Sequence, residues 1–189
     1  MKELLSGLPF RVLRPADLHL TESPAETGTS FLENAAIKAV YYSERPGSGL
    51  AVADDSGLSV DAMAGAPGLY SSRFGGEGAS DEERNRLLLQ RLEGVPSERR
   101  GAHFTSAVAL ARAGKVIFTA VETVEGKIGT SPRGSQGFGY DPLFFYPPFG
   151  KTFAEVSPRE KAEVSHRGKA FARLRAFLEE FAGQARNGV

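Results

Sequence analysis

The sequence predicts an α/β protein built as one domain, on three observations. A short apolar run from Gly49 to Ala53 reads as a buried strand and ends in two adjacent carboxylates, Asp54 and Asp55. Helix starts with capping-box spacing, a serine followed three residues later by glutamate, occur at Ser30, Ser80 and Ser157. Two stretches rich in β-branched and aromatic residues, 102–112 and 116–128, flank Ala113-Gly114-Lys115 and predict a long antiparallel hairpin.

The elements follow in order. Lys2 to Leu5 read as the end of a helix closed by Ser6-Gly7, and Phe10 to Leu13 as a strand. A polar loop with Pro15 and Pro24 runs to Gly28 and carries Glu26. Phe31, Ala35, Ile37, Lys38 and Tyr41 carry a helix to about Ser43. After the central strand, Asp54, Asp55, Ser56 and Gly57 are expected to form its exit, and Leu58 to Asp61 a further short strand. Residues 71–79 are a glycine-rich loop with one cation, Arg73. The helix opened by Ser80 turns Leu88, Leu89 and Leu92 inward, and Gly94 closes it. His103 lies on the first hairpin strand with nothing acidic adjoining it, so it reads as a strand-face histidine. Gly134 to Pro142 form a loop with glycines around Phe138 and Tyr140. Pro158 starts a short helix bearing Lys161. Ser165 caps the last helix, whose stripe of Phe171, Leu174, Leu178 and Phe181 is a core face.

Composition bounds what such a protein does. Of 189 residues, 41% are hydrophobic and 24% charged, and Lys+Arg equals Asp+Glu at 23 each, so no overall field favours a nucleic acid polymer or a membrane surface. Any anionic ligand is therefore held locally. Cysteine is absent, which excludes disulfides, thiolate metal sites and a cysteine nucleophile. With no long apolar segment, a cytoplasmic location is the default expectation.

Three features carry chemistry. Acids at a strand end suit the ligand crevice of an open α/β sheet, although Asp, Ser and Gly equally form turns. The Gly134–Pro142 loop lacks the dinucleotide order G-x-G-x-x-G, yet its glycines let backbone approach a flat base while an aromatic face stacks on it. As an alternative, Phe138 belongs to the core. His166 and Arg167 stand in the first turn of the last helix, where cations oppose the helix dipole, so a bound phosphate would relieve them, with Lys161 reaching in from the preceding turn; as an alternative, both are solvent-exposed cations. A nucleotide suits all three: base on Phe138, phosphates on Lys161 and Arg167, and Mg²⁺ between the polyphosphate and Glu26 and Asp55. Attack by an activated water on phosphorus needs only these groups.

The blocks Glu26-Thr27-Gly28, Phe31-Leu32-Glu33-Asn34-Ala35, Ala53-Asp54-Asp55-Ser56-Gly57-Leu58, Gly65-Ala66-Pro67-Gly68, Phe138-Gly139-Tyr140-Asp141-Pro142 and Ser165-His166-Arg167-Gly168 resemble the non-canonical purine nucleoside triphosphate pyrophosphatases, the inosine triphosphatase family. Six blocks in order cover nearly the whole chain. The resemblance implies hydrolysis of ITP, dITP and XTP to the monophosphate and pyrophosphate. It also implies an elongated, two-lobed single domain with a long mixed sheet flanked by helices, a homodimer, and Mg²⁺ as cofactor. By position, it implies Asp55 as general base and metal ligand, Glu26 as the second acidic ligand, and Asp54 as their support in the metal site. It assigns Ser56, Phe138, Gly139, Tyr140, Asp141, Lys161, His166 and Arg167 to the substrate, with Lys38 and Arg73 as further phosphate contacts. The family's first strand and its Thr/Ser-x-Asn-x-x-Lys phosphate loop do not precede Lys2. Expected causes are a misassigned start codon, which we favour, or a catalytically weakened nucleotide-binding homologue. A rival aspartic-protease reading of Asp55-Ser56-Gly57 conflicts with the three capped helices.

Overall fold

The structure is a computed structural model that describes residues 3–47 and 49–187. It is an α/β fold in which five strands form one sheet in the order β1-β2-β3-β4-β5. The strands are β1 (Leu50–Val60), β2 (Gly101–Arg112), β3 (Lys115–Ile128), β4 (Phe144–Tyr146) and β5 (Lys151–Thr152). β3 pairs antiparallel with β4, and β4 with β5. The helices are α1 (Phe31–Ser43), α2 (Asp81–Arg91), α3 (Pro158–Val164) and α4 (His166–Asn187). No helix among the described residues is long and apolar enough to cross a membrane.

Local chemistry sets most of these elements where the sequence expects them. β2 and β3 join through Ala113 and Gly114, at φ 49° and 76°, the paired positive φ values of a two-residue hairpin turn that matches strand twist. Ser80 and Ser157 form complete capping boxes with Glu83 and Glu160. At α1 the box is displaced. Ser30 Oγ accepts from the Glu33 N–H at 3.2 Å, but the Glu33 carboxylate accepts from Thr29 N and Oγ1, at 2.6 and 2.8 Å.

Two expectations fail. Phe10 to Leu13 run without forming a strand, and their apolar side chains Phe10 and Val12 instead pack against a core cluster. β1 does not end at the acids: it runs unbroken through Asp54, Asp55, Ser56 and Gly57 and absorbs the second strand expected at Leu58. Ladder pairing overrides the turn preference of Asp, Ser and Gly here. Of the helix end expected at residues 2–5, Lys2 lies outside the described residues, and Glu3–Leu5 form a single 3₁₀ turn.

The chain divides into two compact units. The first comprises the residues up to Asp55, Ser106–Glu122, and those from Arg167 onward. Strand alternation gives its part of the sheet two differently covered faces. Val108 and Leu110 of β2, with Leu50 and Val52 of β1, pack with Ala170, Phe171, Leu174 and Leu178 of α4. Ala107, Ala109 and Ala111 of β2, with Ala53 of β1, pack on the other face against Ala35 and Ala39 of α1. The buried residues of this layer are all alanine, with the partly buried Phe31, Leu32 and Val40 of α1 packed against them, so the α1 backbone approaches the sheet through small side chains.

The second unit comprises Ser56–Thr105 and Thr123–His166. Its core joins Leu58 and Val60 of β1, Leu88 of α2, Leu92 just beyond it, Phe104, Phe144 and Phe153. Phe144 stacks obliquely on Phe104 and Phe153, with ring centroids 4.5 and 4.9 Å away.

Candidate active site

The alternation that covers both faces of β1 also separates its two aspartates. Asp55 shares a face with Ala53, so it points to the α1 side. There Lys38 Nζ donates to Asp55 Oδ1 at 2.9 Å and to Glu26 Oε1 at 3.0 Å, and Asn34 Nδ2 donates to Asp55 Oδ2 at 3.3 Å. Asn34 and Lys38 lie one helical turn apart on α1, so both reach the same carboxylate. Asn34 Oδ1 also accepts from the Gly28 N–H at 2.8 Å, anchoring the loop that carries Glu26. A side chain at Gly28 would place its Cβ 2.7 Å from that same oxygen, so glycine is required by the close approach.

Burial raises the Asp55 carboxyl above its ordinary value, and the neighbouring Glu26 adds to this; the Lys38 ammonium pulls the other way without cancelling it. For Lys38, burial works against the charge, but the hydrogen bonds to Asp55 and Glu26 outweigh it and raise its pKa. Lys38 is thus a cation stabilised by two acids, one of which, Asp55, has enhanced proton affinity.

Asp54 faces the α4 side, where Arg167 Nη2 lies 2.8 Å from its Oδ2. The structure brings Glu26, Asp55, Asn34 and Lys38 together and places Asp54 with Arg167 instead. Ser56 follows Asp55 in β1 and is half-buried.

In the second unit the Gly134–Pro142 loop is ordered by its own polar groups. Asp141, only 2% exposed, accepts from the Phe138 N–H at 2.9 Å and pairs with Lys161 Nζ. Gly137 lies against this carboxylate, where a Cβ would come within 2.0 Å of Asp141 Oδ2. The Phe138 ring is 58% exposed, with Lys161 Nζ 4.8 Å from its centroid, a cation–π contact. Tyr140 turns inward to 4% exposure, and its hydroxyl donates to the Ser71 carbonyl at 2.8 Å. Burial pushes its phenol pKa up. Of the aromatic pair, then, Phe138 is largely exposed while the Tyr140 ring is core. Gly139 is held through its peptide by α2. His166 is buried and stacks on Phe104 with ring centroids 4.7 Å apart and planes at 13°. The cations expected around one phosphate therefore have protein partners: Lys161 has Asp141, and Arg167 has Asp54. Arg73 stands on an exposed loop with its guanidinium 5.7 Å from the Tyr70 ring centroid.

The sequence profile of the Ham1 family matches residues 1–177. The chain belongs to the Ham1 family. It is 48% identical over 181 residues to a dITP/XTP pyrophosphatase of Thermus thermophilus, covering 96% of this chain and 84% of that protein. To a dITP/XTP pyrophosphatase of Exiguobacterium sibiricum it is 43% identical over 181 residues, covering 96% and 91%. The Ham1 protein of Coxiella burnetii superposes with a TM-score of 0.85 at 39% identity, covering 95% of this chain and 91% of that one. The Staphylococcus aureus Ham1 protein does so with 0.83 at 36% identity and the same coverage.

Two residues of this Ham1 chain gain a clear place that sequence reasoning did not give them. In the sequence, Asn34 enters only within the Phe31–Ala35 block and Lys38 only as a further phosphate contact; in the structure both close on Asp55. Their signal was present: two polar residues a turn apart on the face that also carries Ala35 and Ala39.

Proposed function

We infer that this chain hydrolyses non-canonical purine nucleoside triphosphates, ITP, dITP and XTP, to the monophosphate and pyrophosphate. The observation that carries the reading is Asp55: a half-buried carboxylate of raised proton affinity, oriented by Asn34 and Lys38, in a chain whose relatives are named dITP/XTP pyrophosphatases. In the proposed step a water oxygen attacks the α-phosphorus and gives its proton to Asp55. The bond from that phosphorus to the bridging oxygen breaks, and pyrophosphate leaves with the electron pair.

The residues fit Mg²⁺. Glu26 and Asp55 already converge on one cationic atom, the Lys38 ammonium, at 3.0 and 2.9 Å. No group of three or more His, Asp or Glu side chains among the described residues forms a fuller cage. Two carboxylates suit an ion that keeps several waters and takes its other ligands from substrate phosphates. When bound it would neutralise charge on the triphosphate. Lys38 would contact the phosphates, Asp54 fixes the guanidinium of Arg167, and Ser56 and His166 would complete the substrate contacts. Phe138 supplies the stacking face for the purine, with Gly139, Tyr140, Asp141 and Lys161 setting the loop that presents it. We place the enzyme with the nucleotide pool it would cleanse, in the cytoplasm, and as a homodimer; the exposed apolar side chains Val116, Ile117 and Val121 of β3 support the latter.

The test is pyrophosphate release from ITP, dITP, XTP, GTP and ATP, with Mg²⁺ and with chelator. Release from the deaminated purines well above GTP and ATP, abolished by chelator, is the expected outcome. A folded chain that releases none overturns the reading.

A further inference from the structure

The Gly139 peptide is gripped from both ends by one helix. Asp81 Oδ2 accepts its N–H at 2.6 Å, and Asn85 Nδ2 donates to its carbonyl at 2.9 Å. Asp81 and Asn85 lie a single turn apart at the start of α2, so they present both groups on one face, 58 and 54 residues away in sequence from the glycine they hold. The contact is built rather than incidental. Asp81 Oδ1 is held in turn by Arg84, whose guanidinium also donates to the Ser72 carbonyl at 3.0 Å. Asn85 is 6% exposed, and its Oδ1 is buried without a hydrogen-bond partner. A buried amide with an idle oxygen is costly, and an apolar side chain would pack there without that cost, so the position uses the donor. No neighbouring side chain wedges the loop at this point: a Cβ on Gly139 would meet nothing within 4 Å, although its φ of 61° favours glycine. The hydrogen bonds to Asp81 and Asn85 supply the contacts that hold it.

We propose that Asp81 and Asn85 are positioning residues for the purine, which hold the Gly139 peptide and so set the exposed ring of Phe138 at a fixed angle. The proposal rests on the reading above that this loop receives the base. It follows that the loop presents a ring face to the purine, because the Phe138 and Gly139 N–H groups and the Gly139 carbonyl are already taken by Asp141, Asp81 and Asn85. A loosened clamp leaves the chemistry at Asp55 intact and weakens capture of the substrate.

The experiment measures steady-state ITP hydrolysis and hydrogen exchange at the Gly139 amide, in the full chain. Asp81→Ala is expected to speed Gly139 exchange, to raise KM for ITP at least tenfold, and to leave kcat within about threefold, which is a binding loss without a transition-state loss. Asp81→Asn retains an oxygen acceptor and is expected to restore KM to within about threefold. Asn85→Leu, close in volume but without the donor, repeats the KM effect and keeps the test open should Asp81→Ala fail to fold. Faster Gly139 exchange with unchanged KM overturns the proposal, as does unchanged exchange. A parallel fall in kcat and melting temperature would reduce the pair to a structural tie. An unsubstituted chain that releases no pyrophosphate overturns the nucleotide reading instead, and the exchange measurement still decides whether the clamp exists.

Discussion

Replacing Asp55 with Asn separates the chemistry of this residue from its contribution to the fold. The carboxylate accepts from Lys38 at 2.9 Å and Asn34 at 3.3 Å. An amide in its place can accept from one of them and must turn its NH₂ towards the other. A charge-assisted hydrogen bond contributes roughly 1.5–3 kcal/mol, but burial already works against the charged form of Asp55, so the net loss of stability is expected below about 2 kcal/mol. Loss of a general base costs roughly 10²–10⁴ in rate, which at about 1.36 kcal/mol per decade is about 2.7–5.4 kcal/mol of barrier. The catalytic loss therefore exceeds the folding loss. Pyrophosphate release at saturating ITP reads the first and urea unfolding the second. An Asp55→Asn chain that turns over within about tenfold of the unsubstituted protein would refute the role of Asp55. So would a rate loss fully explained by unfolding.

Phe138→Ala removes a largely exposed ring; base stacking of about 1–3 kcal/mol predicts a KM for ITP about 5- to 150-fold higher, with little change in melting temperature. Tyr140→Phe acts on stability: the Ser71 carbonyl loses its buried donor, which costs about 1–3 kcal/mol in denaturant unfolding. In the acid range, hydrogen bonds from Thr29, Ser80 and Ser157 hold Glu33, Glu83 and Glu160 below their ordinary 4.5. A carboxyl depressed in the folded state stabilises above its unfolded value and loses that contribution as pH falls through the folded one, so the melting temperature should drop below about pH 4.5, and Glu83→Gln with Glu160→Gln should flatten that decline.

Elements whose signals are local were legible in the sequence. A capping serine and its glutamate sit three residues apart, and a hairpin turn is two residues long, so Ser80, Ser157 and Ala113-Gly114 announced themselves. The α4 stripe did so through its period at Phe171, Leu174 and Leu178, whereas Phe177, and not Phe181, is the helix's further phenylalanine packed against that cluster. What failed needed partners distant in sequence. Asp54 to Gly57 look like a turn until β2 is known to lie alongside them and keep them in the ladder. The candidate site divides in the same way. Asp55 and Glu26 were legible as acids beside glycines, yet strand alternation sends Asp54 to Arg167 and away from Lys38, which becomes readable only when both faces of β1 are known to be covered. Phe138 and Tyr140 are alike in sequence; the carbonyl of Ser71, 69 residues earlier, draws one of them into the core.

The alanine layer beneath α1 has a consequence for how the acid cluster tolerates change. Ala35 and Ala39 on the helix, and Ala53, Ala107, Ala109 and Ala111 on the strands, hold no functional group, yet their methyls act as a ruler for the reach of Lys38 and Asn34 to Asp55. Leucine in that layer would behave as a shim, lifting α1 away from the sheet and opening polar contacts several residues away that tolerate only a few tenths of an ångström. The calibration of the cluster thus belongs to its least reactive neighbours, and a screen confined to charged residues would pass over the positions that set it.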